Sequence, residues 1–251
     1  MIESSEHATV GEIIATDTRT ASIFEQFGID FCCGGRRSLA DACRAAGADV
    51  DLVLRTLNAV RAETPDGNAD LGQWPVERLI DYIVSNHHAY VRKTMPMIAR
   101  QLAKLLSVHG ERHPELIQVA SAVDRLGSEL QRHMVKEEHV LFPYIRELAT
   151  TPAGRARPSP FGTVENPIRM MEREHREAGD ELRLMRALTN DYTPPADGCA
   201  TYQVCFAELA RFERDLHRHV HLENHLLFPK AVALEQRAFG GPFQTVASEE
   251  I

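Results

Sequence analysis

Residues 133–143 read HMVKEEHVLFP and residues 219–229 read HVHLENHLLFP, an offset of 86 positions that holds for the histidine, the glutamate and the Leu-Phe-Pro ending alike. An α-helix turns about 100° per residue, so positions i and i+4 stack on one face. His133 and Glu137 therefore continue the stripe formed by Leu126, Leu130 and Leu141, and His219 and Glu223 continue that of Phe212, Leu216 and Leu226. A chain that twice sets a polar pair into a core-facing stripe must satisfy that pair inside a helical interior, because unpartnered buried ionisable groups are costly. Each pair also has an earlier histidine at similar range: His87 precedes His133 by 46 residues and His175 precedes His219 by 44. Two related helix pairs, each contributing one histidine and one His-x3-Glu, are the simplest architecture with this pattern.

The rest of the chain agrees with an all-α protein. Four long helical patterns lie near 75–107, 112–148, 164–189 and 199–235, separated by Pro152, Pro158 and Pro160 and then by Pro194 and Pro195. Strand-like alternation is lacking, and the pattern predicts an up-down-up-down four-helix bundle over 76–235. Pro96 falls inside the first long helix and is expected to kink it. Residues 1–63 read as a small N-terminal domain of short helices, with Thr9-x-x-Glu12 and Ser38-x-x-Asp41 as capping boxes and Gly28 and Gly47 as stops. The segment TPDGNADLGQWP, 64–75, reads as a linker, and 236–251 as a C-terminal tail.

Composition narrows the function. A formal charge of −8, without a basic face, argues against general nucleic-acid binding. No apolar run approaches the roughly 20 residues that span a bilayer, and the first residues do not read as a signal peptide. Five cysteines fit reduced thiols in a cytoplasmic protein, and twelve histidines in 251 residues hint at metal.

Six residues, His87, His133, Glu137, His175, His219 and Glu223, would point into one bundle interior. Two divalent ions would satisfy them together, with the carboxylates as bridges and the imidazoles completing the shell. Iron, manganese and zinc all suit this donor set. His88 adjoins His87, but His87 fits the stripe of Ile80, Ile83 and Val91 better. His217, His221 and His225 are also spaced by four; they lie about 200° from His219, beside Glu213, Arg214 and Arg218, and read as a solvated face. His139 points away from the interior, and His7, His109 and His113 read as surface residues. Cys43, Cys199 and Cys205 read as packing residues on helices.

The bundle with these six residues resembles hemerythrin-like di-iron domains. GIDFCCGGRRSLADAC (28–43) ahead of it resembles the N-terminal domain of the iron–sulfur cluster repair family, the repair of iron centres (RIC) proteins. The resemblance covers most of the chain up to about residue 235. It implies a small N-terminal helical domain followed by a hemerythrin-like bundle, with two iron ions as an oxo- and carboxylate-bridged centre on the six residues. It also implies a role in restoring iron–sulfur clusters damaged by nitric oxide or oxidants, with damaged iron–sulfur proteins or a scaffold as partners. Glu129 and Glu174 match acidic positions near that centre, where they would receive an imidazole N–H, guide iron or move protons; solvated surface is the alternative. Cys32 and Cys33, beside Arg36 and Arg37, read as reactive thiols, with simple packing as the alternative.

Three functions remain open at this level. The first is iron donation to damaged clusters, and the second is binding or sensing of dioxygen or nitric oxide. The third is redox catalysis on nitric oxide or nitrite. An N-terminal domain exposed to solvent would also allow two copies to pair as a homodimer.

Overall fold

The computed structural model describes residues 7–17, 20–31, 34–62, 71–155, 159 and 161–240. Cys32 and Cys33, most of the expected linker and the end of the chain fall outside them.

Local chemistry sets the N-terminal helices. Thr9 and Glu12 form a reciprocal capping box at the start of α1 (Val10–Thr16). After α2 (Ala21–Gln26), the chain turns at Gly28, whose φ is 65°. Ser38 accepts from the Asp41 amide to cap α3 (Leu39–Ala46), which closes on left-handed Gly47 ahead of α4 (Val50–Ala62). Backbone bonds from Val10 to Arg37, Gly11 to Gly35 and Leu39 to Ala8 tie the start of α1 to the 35–39 segment.

The bundle is built from four rods, three of which contain a π-helical turn. The first is α5 (Val76–Tyr82), a π turn over Ile83–His88, and α6 (Ala89–His109). The second is α7 (Glu115–Lys136), a π turn over Glu137–Leu141, and α8 (Phe142–Thr150). The third is α9 (Glu165–Leu188). The fourth is α10 (Ala200–His221), a π turn over Leu222–Leu227, and α11 (Phe228–Phe239). Packing of α6 against α7 and of α7 against α9 joins successive rods, and packing of α10 against α6 brings the fourth rod back to the first.

The repeated Leu-Phe-Pro has a structural role in this arrangement. Pro143 and Pro229 each sit in the first turn of the helix that follows a π turn. Proline has no N–H to continue the i→i−4 ladder, so a widened turn just before it loses no further bond. Pro96 lies inside α6, which continues on both sides of it. Helix α11 also runs past 235 to Phe239 and ends on left-handed Gly240, so 236–239 belong to the bundle and not to a tail.

Two apolar clusters divide the core. The upper one gathers Leu79, Ile83, Ile145, Met171, Leu227 and Phe228. The lower one gathers Leu102, Leu126, Leu182, Phe206 and Phe212, and it is continuous with Val10, Ile14, Phe24, Phe31, Leu39 and Leu57 of the N-terminal helices. Those helices therefore bury their apolar faces on their own bundle and are not an exposed lobe. The seam carries ion pairs as well, from Arg36 to Glu172 and from Arg183 to Asp30. Among the described residues, no helix is long and apolar enough to cross a membrane.

Candidate metal centre

Between the two apolar clusters lies a polar layer. It consists of His88, His133, Glu137, His175, His219 and Glu223, all 2% exposed or less. Their ligand atoms form two groups, one of His88, Glu137, His219 and Glu223 and the other of His133, Glu137, His175 and Glu223, with the atoms in each within 4.8 Å of one another. Both glutamates belong to both groups. Glu137 places one oxygen 3.3 Å from His88 Nε2 and the other 3.2 Å from His133 Nε2. Glu223 spans the second diagonal, 2.9 Å from His219 Nε2 and 3.1 Å from His175 Nε2.

Five of the six residues expected from sequence meet here. The sixth, His87, does not, and His88 takes its place. The π turn over Ile83–His88 inserts one residue into the helix, so the position below Ile83 on the interior face is reached after five steps and not four. His87 is still buried, at 5% exposure, but its Nδ1 donates to Asp215 at 3.0 Å and its ring stacks on His219.

An outer layer orients the imidazoles. His88 Nδ1 donates to Glu138 at 2.6 Å, itself held by Arg92. His133 Nδ1 donates to Glu174 at 2.9 Å, and His175 Nδ1 to Asn224 at 2.9 Å. Each such bond leaves Nε2 as the inward-facing lone pair, the tautomer a metal requires. Sequence reasoning singled out Glu174 but missed Glu138 and Asn224; each adjoins a ligand in the sequence, which was the signal available.

Glu174 also pairs with Lys136. Its hydrogen bond from His133, opposed by partial burial and reinforced by Lys136, holds its carboxyl down at about 2. Glu129 lines a cavity of about 140 Å³ with His133, Lys136, Glu174 and His175.

The donor set fits a pair of cations. Neither oxygen of Glu137, nor Glu223 Oε2, accepts a hydrogen bond, although all are buried away from solvent. In the metal-free protein, burial pushes His88 and His133 down in pKa, but Glu137 and Glu223 outweigh it and raise both to about 10. Burial holds His219 below the usual imidazole range. Two imidazolium ions thus offset two carboxylates, and two divalent ions can replace those protons with the imidazoles and carboxylates as ligands.

Other expectations change with the fold. The His217, His221 and His225 face is covered by the N-terminal helices, not solvated: His221 is 3% exposed, and Phe31 packs edge-on against both His217 and His221. Burial, with His225 beside it, drives His221 down to about 3, so the ring is neutral. His109 is buried rather than superficial and lies 3.3 Å from Cys199 Sγ, while Cys199 is an exposed N-cap and not a packing residue. That contact lowers the Cys199 thiol to about 7. Cys43 and Cys205 are buried packing residues, as expected.

Comparison with known proteins places this geometry in context. Residues 79–231 match the model of the hemerythrin HHE cation binding domain, and residues 6–61 match that of ScdA_N, a domain of unknown function. A protein of Dickeya chrysanthemi (strain Ech1591) named iron–sulfur cluster repair protein YtfE is 33% identical over 224 residues, covering 89% of this chain and 96% of its own. Its namesake from Musicola paradisiaca (strain Ech703) is 34% identical over 227 residues with the same coverage. That of Yersinia pestis (strain Pestoides F) is 33% identical over 225 residues.

Proposed function

Because this chain belongs to the family of the YtfE iron–sulfur cluster repair proteins, with a hemerythrin-like cation-binding domain, we propose that it repairs iron–sulfur clusters damaged by nitrosative or oxidative stress, by giving up iron held in the bundle. One observation carries the reading: Glu137 and Glu223 are each shared by both His/Glu groups, the arrangement of two carboxylates bridging two ions. His88 and His219 would hold one iron, and His133 and His175 the other. Bound there, the iron pair supplies both a redox couple and a releasable cargo.

The chain's own residues set how tightly that cargo is kept. Four neutral imidazoles against two carboxylates put little anionic charge on the ions, which favours release over a strongly oxidising site. Glu174 and Glu129 line the cavity that reaches His133 and His175, and they offer carboxylate oxygens along a way out. Cys32 and Cys33 would receive the iron or carry thiol adducts on its way to a damaged iron–sulfur protein in the cytoplasm. Their neighbours Phe31 and Gly35 lie against the bundle.

The cavity of about 140 Å³ beside His133 and His175 also favours a second reading, the binding of dioxygen or nitric oxide at an open iron position. One experiment separates the two. Protein loaded with ⁵⁷Fe is mixed with an iron–sulfur enzyme inactivated by nitric oxide, and recovered activity and transferred label are measured. The repair reading expects both to rise with the loaded protein and both to be absent with Glu137→Gln. It expects Cys32→Ser combined with Cys33→Ser to retain iron but lose repair. Recovery without label transfer would overturn iron donation, and no recovery alongside a reversible gas adduct would favour the second reading.

A further inference from the structure

His221 is two residues past the ligand His219 on α10 and points the other way, into the seam with the N-terminal helices. It is 3% exposed, and neither ring nitrogen has a hydrogen-bond partner among the described residues. A neutral imidazole in that position is a costly choice where leucine or phenylalanine would pack equally well against Phe31. One turn on, His225 stands with its ring centre 5.0 Å from that of His221. The two ring pairs of the metal centre, His88 with His219 and His133 with His175, are each spaced 4.8 Å, with their Nε2 atoms 3.1 Å apart. Rings of His221 and His225 are tilted by 30°, and at this separation the two side chains lie side by side on one face of the helix.

The N-terminal backbone is shaped around this pair. A Cβ on Gly35 would lie 2.5 Å from His225 Nε2, and one on Gly11 would lie 2.6 Å from the same ring. Only glycine at both positions lets the chain approach so closely. His225 also lines a cavity of about 480 Å³ at the seam, bordered by Thr9, Glu12, Arg36 and Glu172, so a small solute can reach it.

We propose that His221 and His225 bind a further divalent transition-metal ion, exchangeable and distinct from the pair in the bundle core. A histidine pair at i and i+4 on a helix chelates such ions, and imidazole nitrogen donors select late first-row metals over magnesium or calcium. The ion's remaining positions face the seam cavity. If the repair reading holds, the ion is iron(II) in transit, and only its identity rests on that reading.

The test uses full-length protein already loaded with iron, titrated with cobalt(II) while iron release is monitored. Wild type is expected to take up about one cobalt(II) per chain without releasing iron, with visible bands of a low-coordinate ion. His221→Leu, an apolar replacement suited to the pocket against Phe31, and His225→Ala, at the cavity edge, should each weaken uptake at least tenfold and leave the iron absorption unchanged. His217→Ala should bind as wild type does. Uptake that occurs only as iron leaves, or equal affinity in His221→Leu or His225→Ala, would overturn the proposal. Should His221→Leu not fold, His225→Ala decides alone. Cobalt(II) binding with no cluster repair would discard the repair reading and keep the site.

Discussion

His133 and His175, from different rods of the bundle, hold their Nε2 atoms 3.1 Å apart, with Glu137 beside the first and Glu223 beside the second. Two imidazoles this close need a cation or a proton between them and the nearest carboxylates. Replacing either carboxylate by its amide removes the shared anion from both His/Glu groups at once. Glu137→Gln and Glu223→Gln are each expected to lose both ions rather than one, with affinity falling by more than the roughly 10–100-fold typical of losing an outer-layer partner. Metal analysis after gel filtration reads this directly; one ion retained per chain would contradict the bridging role.

The neighbours His87 and His88 separate in the same measurement. His88→Ala should abolish metal binding at the group it shares with His219. His87→Ala should retain metal while losing the bond to Asp215 and the stack on His219, at a cost of about 1–2 kcal/mol in unfolding free energy. Metal loss in His87→Ala with full retention in His88→Ala would reverse the assignment.

This pair also shows where sequence periodicity stops being informative. The spacing of His133 to Glu137 and of His219 to Glu223 lies at the end of a regular helix, just where each π turn begins, so counting by 100° places both correctly. His88 lies at the end of a π turn, and the same count is off by one residue. The Leu-Phe-Pro repeat marks the two later π turns only once the backbone is seen, and the backbone alone shows the extra residue ahead of His88. The His221 face was misread for another reason: helical phase tells which side of α10 it occupies, and only tertiary packing puts Phe31 over it.

Phe31 is accordingly the anchor of the N-terminal domain. It is 1% exposed and packs on Phe24, His217 and His221. Phe31→Ala should cost about 3–5 kcal/mol. The loss should appear in hydrogen exchange as faster opening of α1 and α3, with the iron centre intact. Protection unchanged across α1 would show that other contacts hold the domain down.

Metal binding should depend steeply on pH. His88 and His133, lifted to about 10 by Glu137 and Glu223 against the pull of burial, are protonated at neutral pH in the metal-free protein. Since the shift is upward, their contribution to metal-free stability is present in full below the unfolded value of about 6.5, and is lost as pH rises through about 10. A metal needs both rings neutral, so loading near pH 7 should release about two protons, and apparent affinity should rise by up to roughly a hundredfold per pH unit. Calorimetry in buffers of different ionisation enthalpy counts those protons. Loading with no proton release would show that the carboxylates hold no imidazolium partners.

Glu174 is held in the opposite sense. The His133 N–H it accepts, with Lys136 adding to it, keeps its carboxyl at about 2, below the ordinary 4.5. Its stabilising contribution is therefore present above about 4.5 and is lost as pH falls through about 2. Across the neutral range it remains an anion that fixes the His133 ring with Nε2 inward. Glu174→Ala should weaken metal binding by about 10–100-fold, while Glu174→Gln, which keeps an acceptor but not the charge, should recover part of that loss. A structural role alone would lower unfolding free energy equally in both variants and leave metal affinity unchanged. If Glu174 also guides iron outward, Glu174→Gln should slow iron release to a chelator even where equilibrium affinity is restored. Release as fast as wild type in that variant would confine Glu174 to orienting His133.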